Sequence, residues 1–122
     1  MSYLVEYIKE KGYIFVEITG ELSIEILGAM AKEVAEIGKN TQCRTILNDL
    51  RNAKLTNKIF DIYSMPAAAQ KSGVAPVFKR ALIVGSRAEE FNFLETVFVN
   101  QGHLVKMFST PEEAEAWLFS KE

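Results

Sequence analysis

Asp49 and Arg51 stand at the end of an apolar run, Thr45-Ile46-Leu47-Asn48, and the polar turn Thr56-Asn57-Lys58 follows a few residues later. If the run is a strand, alternation puts Asp49 and Arg51 on one face. There they either orient a ligand together or form a surface ion pair; the ion pair is the favoured reading. Thr56, Asn57 and Lys58 fall where a helix would start. Asn57 and Lys58 beside free backbone N–H groups suit an anion or a partner's carboxylate, with a solvated first turn the favoured reading. Thr56 is the only hydroxyl near this turn that could take a phosphate, but a plain helix cap is favoured there too. His103 follows Gly102; as a base it would need an orienting acid and a nucleophile, and neither neighbours it in sequence. The lone Cys43 and one histidine do not make a metal-ligand set. Glu89-Glu90 and Glu112-Glu113-Glu115 sit where helix N-termini favour acids. No catalytic set, phosphate loop, metal site or cofactor motif emerges, so the expectation is a non-enzymatic domain.

A second group is apolar. Ile59, Phe60, Tyr63, Met65, Val74, Val77 and Phe78 surround a proline and a glycine, Pro66 and Gly73. An interrupted helix followed by an apolar loop can cover a pocket or present a docking patch. The candidate binding residues are therefore Asp49, Arg51, Thr56, Asn57, Lys58, Tyr63 and Phe78.

The elements that must position these residues read in the order ββαβαβαβα. Residues 3–8 and 13–18 alternate around Lys9-Glu10-Lys11-Gly12, the pattern of a hairpin. Gly20 is expected to break the second strand. Ser23 is placed to cap a helix carrying Ile24, Leu27, Met30, Ala31, Val34 and Ala35 inward, which Gly38 or Asn40 would stop. Residues 43–50 form the third strand. Thr56 caps the next helix, Ile59, Phe60 and Tyr63 are expected on its buried face, and Pro66 kinks or divides it. Residues 80–85 form a continuous apolar strand, as in a sheet covered on both faces. Ser86 and Glu89 fit a capping box, residues 104–108 a fifth strand, and Thr110-Pro111-Glu112-Glu113 another box opening a last helix. That helix turns Ala114, Trp117 and Leu118 inward. The fold class is α/β: one domain over residues 1–122, with a five-stranded mixed sheet.

Composition narrows the function classes. With 48% hydrophobic and 25% charged residues, the chain can bury a core. A net charge of −2 without a basic run speaks against nucleic acid. No apolar run reaches the roughly 20 residues of a membrane helix. The first residues meet charge too early for a signal peptide. A cytoplasmic protein is expected. An exposed first strand would offer an edge for a homodimer.

Three patches carry a family resemblance. Ile18-Thr19-Gly20-Glu21-Leu22-Ser23 resembles the second strand and "GELD" turn of STAS domains, the fold of bacterial anti-sigma-factor antagonists. Asn48-Asp49-Leu50-Arg51-Asn52-Ala53 resembles their third strand, and Phe108-Ser109-Thr110-Pro111-Glu112-Glu113-Ala114 their last strand and helix. The hairpin and the 80–85 strand look most like the single-domain STAS/SEC14-like bacterial branch, which shares its fold class with CRAL-TRIO lipid-transfer domains. The resemblance implies a signalling module that binds a protein partner, with small-molecule or lipid binding under the 66–78 segment as the alternative. The family's Asp-Ser-Ser-Gly phosphorylation turn falls on Thr56-Asn57-Lys58-Ile59, and Lys58 stands where the phosphorylated serine would be. The resemblance therefore does not carry the phosphoserine switch.

Overall fold

The computed structural model describes residues 2–86 and 88–120. Strands β1 (Ser2–Ile8) and β2 (Tyr13–Leu22) pair antiparallel, Val5 opposite Val16. Gly20 does not end β2, as its residue type suggested. It takes φ 92° and stays in the ladder opposite Ala53. Without a Cβ it bends the strand where another residue would stop it.

Helix α1 (Ile24–Thr41) opens on Ser23, whose hydroxyl accepts the Ile26 N–H. It passes through both expected stops to Thr41, and Gln42 takes the left-handed turn at φ 65°. Gly38 serves packing instead. A Cβ there would lie 3.1 Å from the Phe78 ring and from the Cys43 carbonyl.

Strand β3 (Thr45–Leu55) begins later and ends later than the expected 43–50. Asp49 pairs with Glu17, but Asn52 pairs with Thr19, so β3 carries one extra residue. This bulge resets the alternation, and Leu50 and Ala53 both reach the same core.

Helix α2 (Ile59–Lys71) is one element with Pro66 buried inside it, neither split nor ended there. Its cap position is Lys58, not Thr56, and no side chain caps it. Strand β4 (Lys79–Ile83), helix α3 (Ala88–Asn100), strand β5 (Leu104–Phe108) and helix α4 (Pro111–Leu118) complete the chain. The expected box at Ser86 and Glu89 spans Arg87, which lies outside the described residues. Thr110 caps α4 as its sequence predicts, accepting the Glu113 N–H at 3.2 Å.

The sheet order is β1-β2-β3-β4-β5, with β2 to β5 parallel. A strand-crossover-strand unit between parallel neighbours is right-handed, so successive steps in one direction place α1, α2 and α3 on one face. α1 packs on β1 and β2 and against α2, and α3 packs on β3, β5 and α2. α4 alone covers the other face, over β3, β4 and β5. The larger core lies under the three helices; the smaller one gathers Tyr13, Leu47, Ala81, Ile83, Ala114 and Leu118 under α4. Among the described residues no helix is long and apolar enough to cross a membrane.

α1 and α2 meet closely at Gly73, which has φ 113°. A Cβ there would come within 2.6 Å of the Ala35 Cβ. Both the backbone and the close approach require glycine. Gly73→Ala is expected to cost about 2 kcal/mol or more, read as a lower urea midpoint at unchanged slope.

Candidate functional site

The sheet brings Asp49 and Arg51 together as alternation requires. The Arg51 Nε donates to Asp49 Oδ1 at 2.9 Å and Nη2 to Oδ2 at 2.8 Å, a two-pronged pair. The Arg51 backbone N–H adds a third bond to Oδ1 at 3.1 Å. Asp49 is buried on the α4 side of the sheet, while Arg51 is half exposed and lies over Gly85. The hydrogen bonds from Arg51 hold the Asp49 carboxyl below the usual carboxylate range, against the opposing effect of burial. Both prongs of the carboxylate are already engaged, so the pair is built to brace the bulge of β3.

Thr56, Asn57 and Lys58 lie elsewhere, where β3 hands over to α2. Thr56 is buried; its N–H donates to the Leu22 carbonyl at 3.0 Å and its hydroxyl accepts the Lys58 N–H at 3.3 Å. It therefore ties the turn together instead of capping α2. Asn57 and Lys58 are exposed. Beside them α2 turns Ile59, Phe60 and Tyr63 outward instead of burying them, because Ile62, Met65 and Ala69 occupy its core side, and Phe60 is 87% exposed. Tyr63 meets Phe93 of α3 edge to face, with ring centroids 5.2 Å apart. This makes an apolar patch with polar neighbours at the mouth of α2.

Phe78 does not join this patch. It is buried just before β4, at the other end of the parallel strands, against Gly38 and under the Arg44 guanidinium, 5.2 Å from its ring centroid. The candidate residues thus fall into three places: the braced pair, the α2 entry and the Phe78 packing.

The main site that sequence reasoning missed lies inside. Between the sheet and α1–α3 is a cavity of about 70 Å³. Leu27, Ala31, Val34, Leu50, Leu94 and Phe98 are among its apolar walls, and its polar or charged lining is Asn48 and Arg80. Arg80 is buried, its Nη2 donates to His103 Nδ1, and its Nε has no partner. The guanidinium carbon lies 5.3 Å from the Phe98 ring centroid. Burial pushes Arg80 down to about 10, and burial with the Arg80 charge pushes His103 down to about 4. His103 is therefore a buried neutral acceptor. Arg80 was absorbed into an apolar strand pattern; a cation in such a run was the available signal. Among the described residues no group of three or more His, Cys, Asp or Glu is placed to hold a metal ion.

The Asp49 carboxyl titrates below its ordinary value near 4, so its ion pair supports folding above pH 4 and loses that effect as pH falls through the lowered folded value. Asp49→Asn is expected to lower stability by about 1 kcal/mol at pH 7, with the half-exposed Arg51 limiting the cost. The gap between variant and parent should be smaller at pH 2.5 than at pH 7, because protonation of the parent carboxyl removes its side of the ion pair. Urea unfolding at the two pH values checks this.

No protein-family model matches the chain, and no curated protein matches it. Solved structures do. The chain is similar to an uncharacterised DUF3478-family protein with a SpoIIAA-like fold from Shewanella loihica PV-4, at 16% identity and TM-score 0.59, over 96% of this chain and 92% of that one. It is similar to the anti-sigma factor antagonist SpoIIAA in its unphosphorylated form, at 15% identity and TM-score 0.52, over 95% and 96% of the two chains. The phosphorylated form of the Bacillus cell fate determinant SpoIIAA matches at 12% identity and TM-score 0.53, over 95% and 98%. The order of elements, the mixed sheet and these likenesses agree on one architecture: the chain has a SpoIIAA-like α/β fold.

Proposed function

We propose that this chain is a non-enzymatic STAS-like binding module that docks a protein partner at the entry of α2, in bacterial cytoplasmic signalling. The observation that carries this reading is the outward-facing set Ile59, Phe60 and Tyr63, with Phe93 behind and Asn57 and Lys58 beside it. Aromatic residues on an exposed patch supply much contact energy at a protein interface. The lysine gives the patch a charge that steers an acidic partner. One protein of this fold is described as an anti-sigma factor antagonist, which supports a signalling role. Signalling here would run without the phosphoserine switch, since Lys58 occupies the position the resemblance gives to that serine, and the Thr56 hydroxyl is buried in a turn bond.

A second reading rests on the internal cavity. Ala69 of α2 and Val74 of the loop after it both line it, which supports a hollow beneath the 66–78 segment. Tyr63 and Phe78 stand outside its walls. A small apolar molecule is the occupant this reading takes.

The two readings separate by experiment. Replacing Phe60 with Asp and Lys58 with Glu should leave the melting temperature near that of the parent, because both side chains are exposed. The same change should reduce at least ten-fold the capture of the partner that the parent enriches from its native extract. Undiminished capture, with Ala at 57, 58 and 60 as well, would overturn the surface. For the second reading, native mass spectrometry should show a retained small molecule. A clean apo mass together with no thermal shift from any apolar probe would sink it.

A further inference from the structure

Arg80 is a cation in the wrong surroundings for a cation. It is 6% exposed, and none of the described residues places a carboxylate against it. Its Nη2 leans on a neutral histidine ring, its plane is near the Phe98 face, and its Nε–H is unspent. A buried charge without a counter-charge is costly unless something of opposite sign completes it.

The cavity next to it has a matching shape and polarity. Apart from half-buried Met30, every residue in its walls is buried, and the walls are aliphatic or aromatic except at Asn48 and Arg80. These two lie on the same face of neighbouring strands. Ile46 pairs with Arg80 and Asn48 with Leu82, so Asn48 and Arg80 are diagonal neighbours. The Asn48 Nδ2 holds only a long 3.5 Å contact to the Ala81 carbonyl and can donate to a better acceptor. One end of the hollow thus offers N–H donors and a positive charge, and the rest offers hydrocarbon. At about 10–15 Å³ for each water, 70 Å³ holds about five waters, or a molecule of about six non-hydrogen atoms.

We propose that this cavity is a binding site for a small apolar monocarboxylate, read by the Arg80 guanidinium with Asn48 as a second donor. The carboxylate accepts from the free Nε–H, supplying the counter-charge that Arg80 lacks, while the short hydrocarbon tail lies among Leu27, Ala31, Val34 and Leu94. Met30, the one wall residue with partial exposure, marks the way in. The proposal rests on the cavity reading above and adds the charge and class of the occupant.

The test compares butyrate with its neutral isostere butyramide at pH 7, by calorimetry and by the Arg80 ¹⁵Nε–H signal in NMR. Butyrate should bind at least ten-fold tighter than butyramide and move the Arg80 Nε–H resonance. Arg80→Met keeps most of the stem volume and removes the charge. It should abolish the preference for butyrate and raise the melting temperature of the ligand-free protein. If Arg80→Met does not fold, Ala31→Leu serves instead: it fills the hollow, keeps Arg80 and should abolish butyrate binding. Equal binding of the two probes overturns the carboxylate assignment and leaves the cavity reading standing. Failure of both probes to bind at millimolar concentration overturns both. Butyrate binding that Ala31→Leu leaves unchanged places the site elsewhere and overturns the proposal.

Discussion

Four strands laid side by side in chain order, all parallel, govern the rest of this molecule. Each step from β2 to β5 needs a crossover, and the twist of L-peptide strands makes each crossover right-handed. Three helices therefore crowd one face, and their packing against one another and the sheet determines where space is left. The cavity is a consequence: α1, α2 and α3 bridge a twisted sheet and leave a hollow over β3 and β4, walled mostly by aliphatic side chains. The other face is left for a single short helix.

That helix has to be held by more than its own apolar stripe, since α4 has eight residues. Lys79 is buried and donates to the Trp117 carbonyl at 2.6 Å and to the Ser120 carbonyl at 3.3 Å, while its ammonium sits 4.6 Å from the centre of the Trp117 indole. A cation at a helix C-terminus meets both the unpaired carbonyls and the negative end of the dipole. At the other side the Tyr13 hydroxyl donates to Glu115 at 2.7 Å, and burial with that bond raises its pKa well above the usual phenol value. The two cations that open β4 thus point to opposite faces with opposite fates. Lys79 finds carbonyls on the α4 side, and Arg80 faces a hollow.

The local rules of the sequence were legible wherever one residue decides a local shape. Ser23 and Thr110 cap the helices their spacing announces, because a hydroxyl at that point satisfies a nearby backbone N–H whatever the surroundings. Asp49 and Arg51 meet because alternation alone puts them on one side. The rules failed where a residue type has two uses. Gly20 and Gly38 read as breaks, but one lets a strand bend and the other admits the Phe78 ring. Thr56 read as a cap, but the chain leaves β3 later than expected and its hydroxyl holds a turn. Pro66 read as an interruption, yet burial of Ile62, Met65 and Ala69 around it keeps α2 whole.

The sequence alone determined the order of elements and the α/β class, since these depend on periodicity and on neighbours a few residues away. Tertiary structure alone decided which of the candidate residues share a site. Tyr63 and Phe78 are separated because α2 runs the length of the sheet between them. Phe60 and Tyr63 face solvent because the core side of α2 is already taken by Ile62 and Met65. Arg80, Asn48 and His103 become a single polar corner only when β3, β4 and the turn before β5 lie side by side, and no local pattern encodes that adjacency. The physical reason is the same in each case: period and capping act over one or two turns of chain, whereas burial of a charge depends on what three separate elements bring to its side.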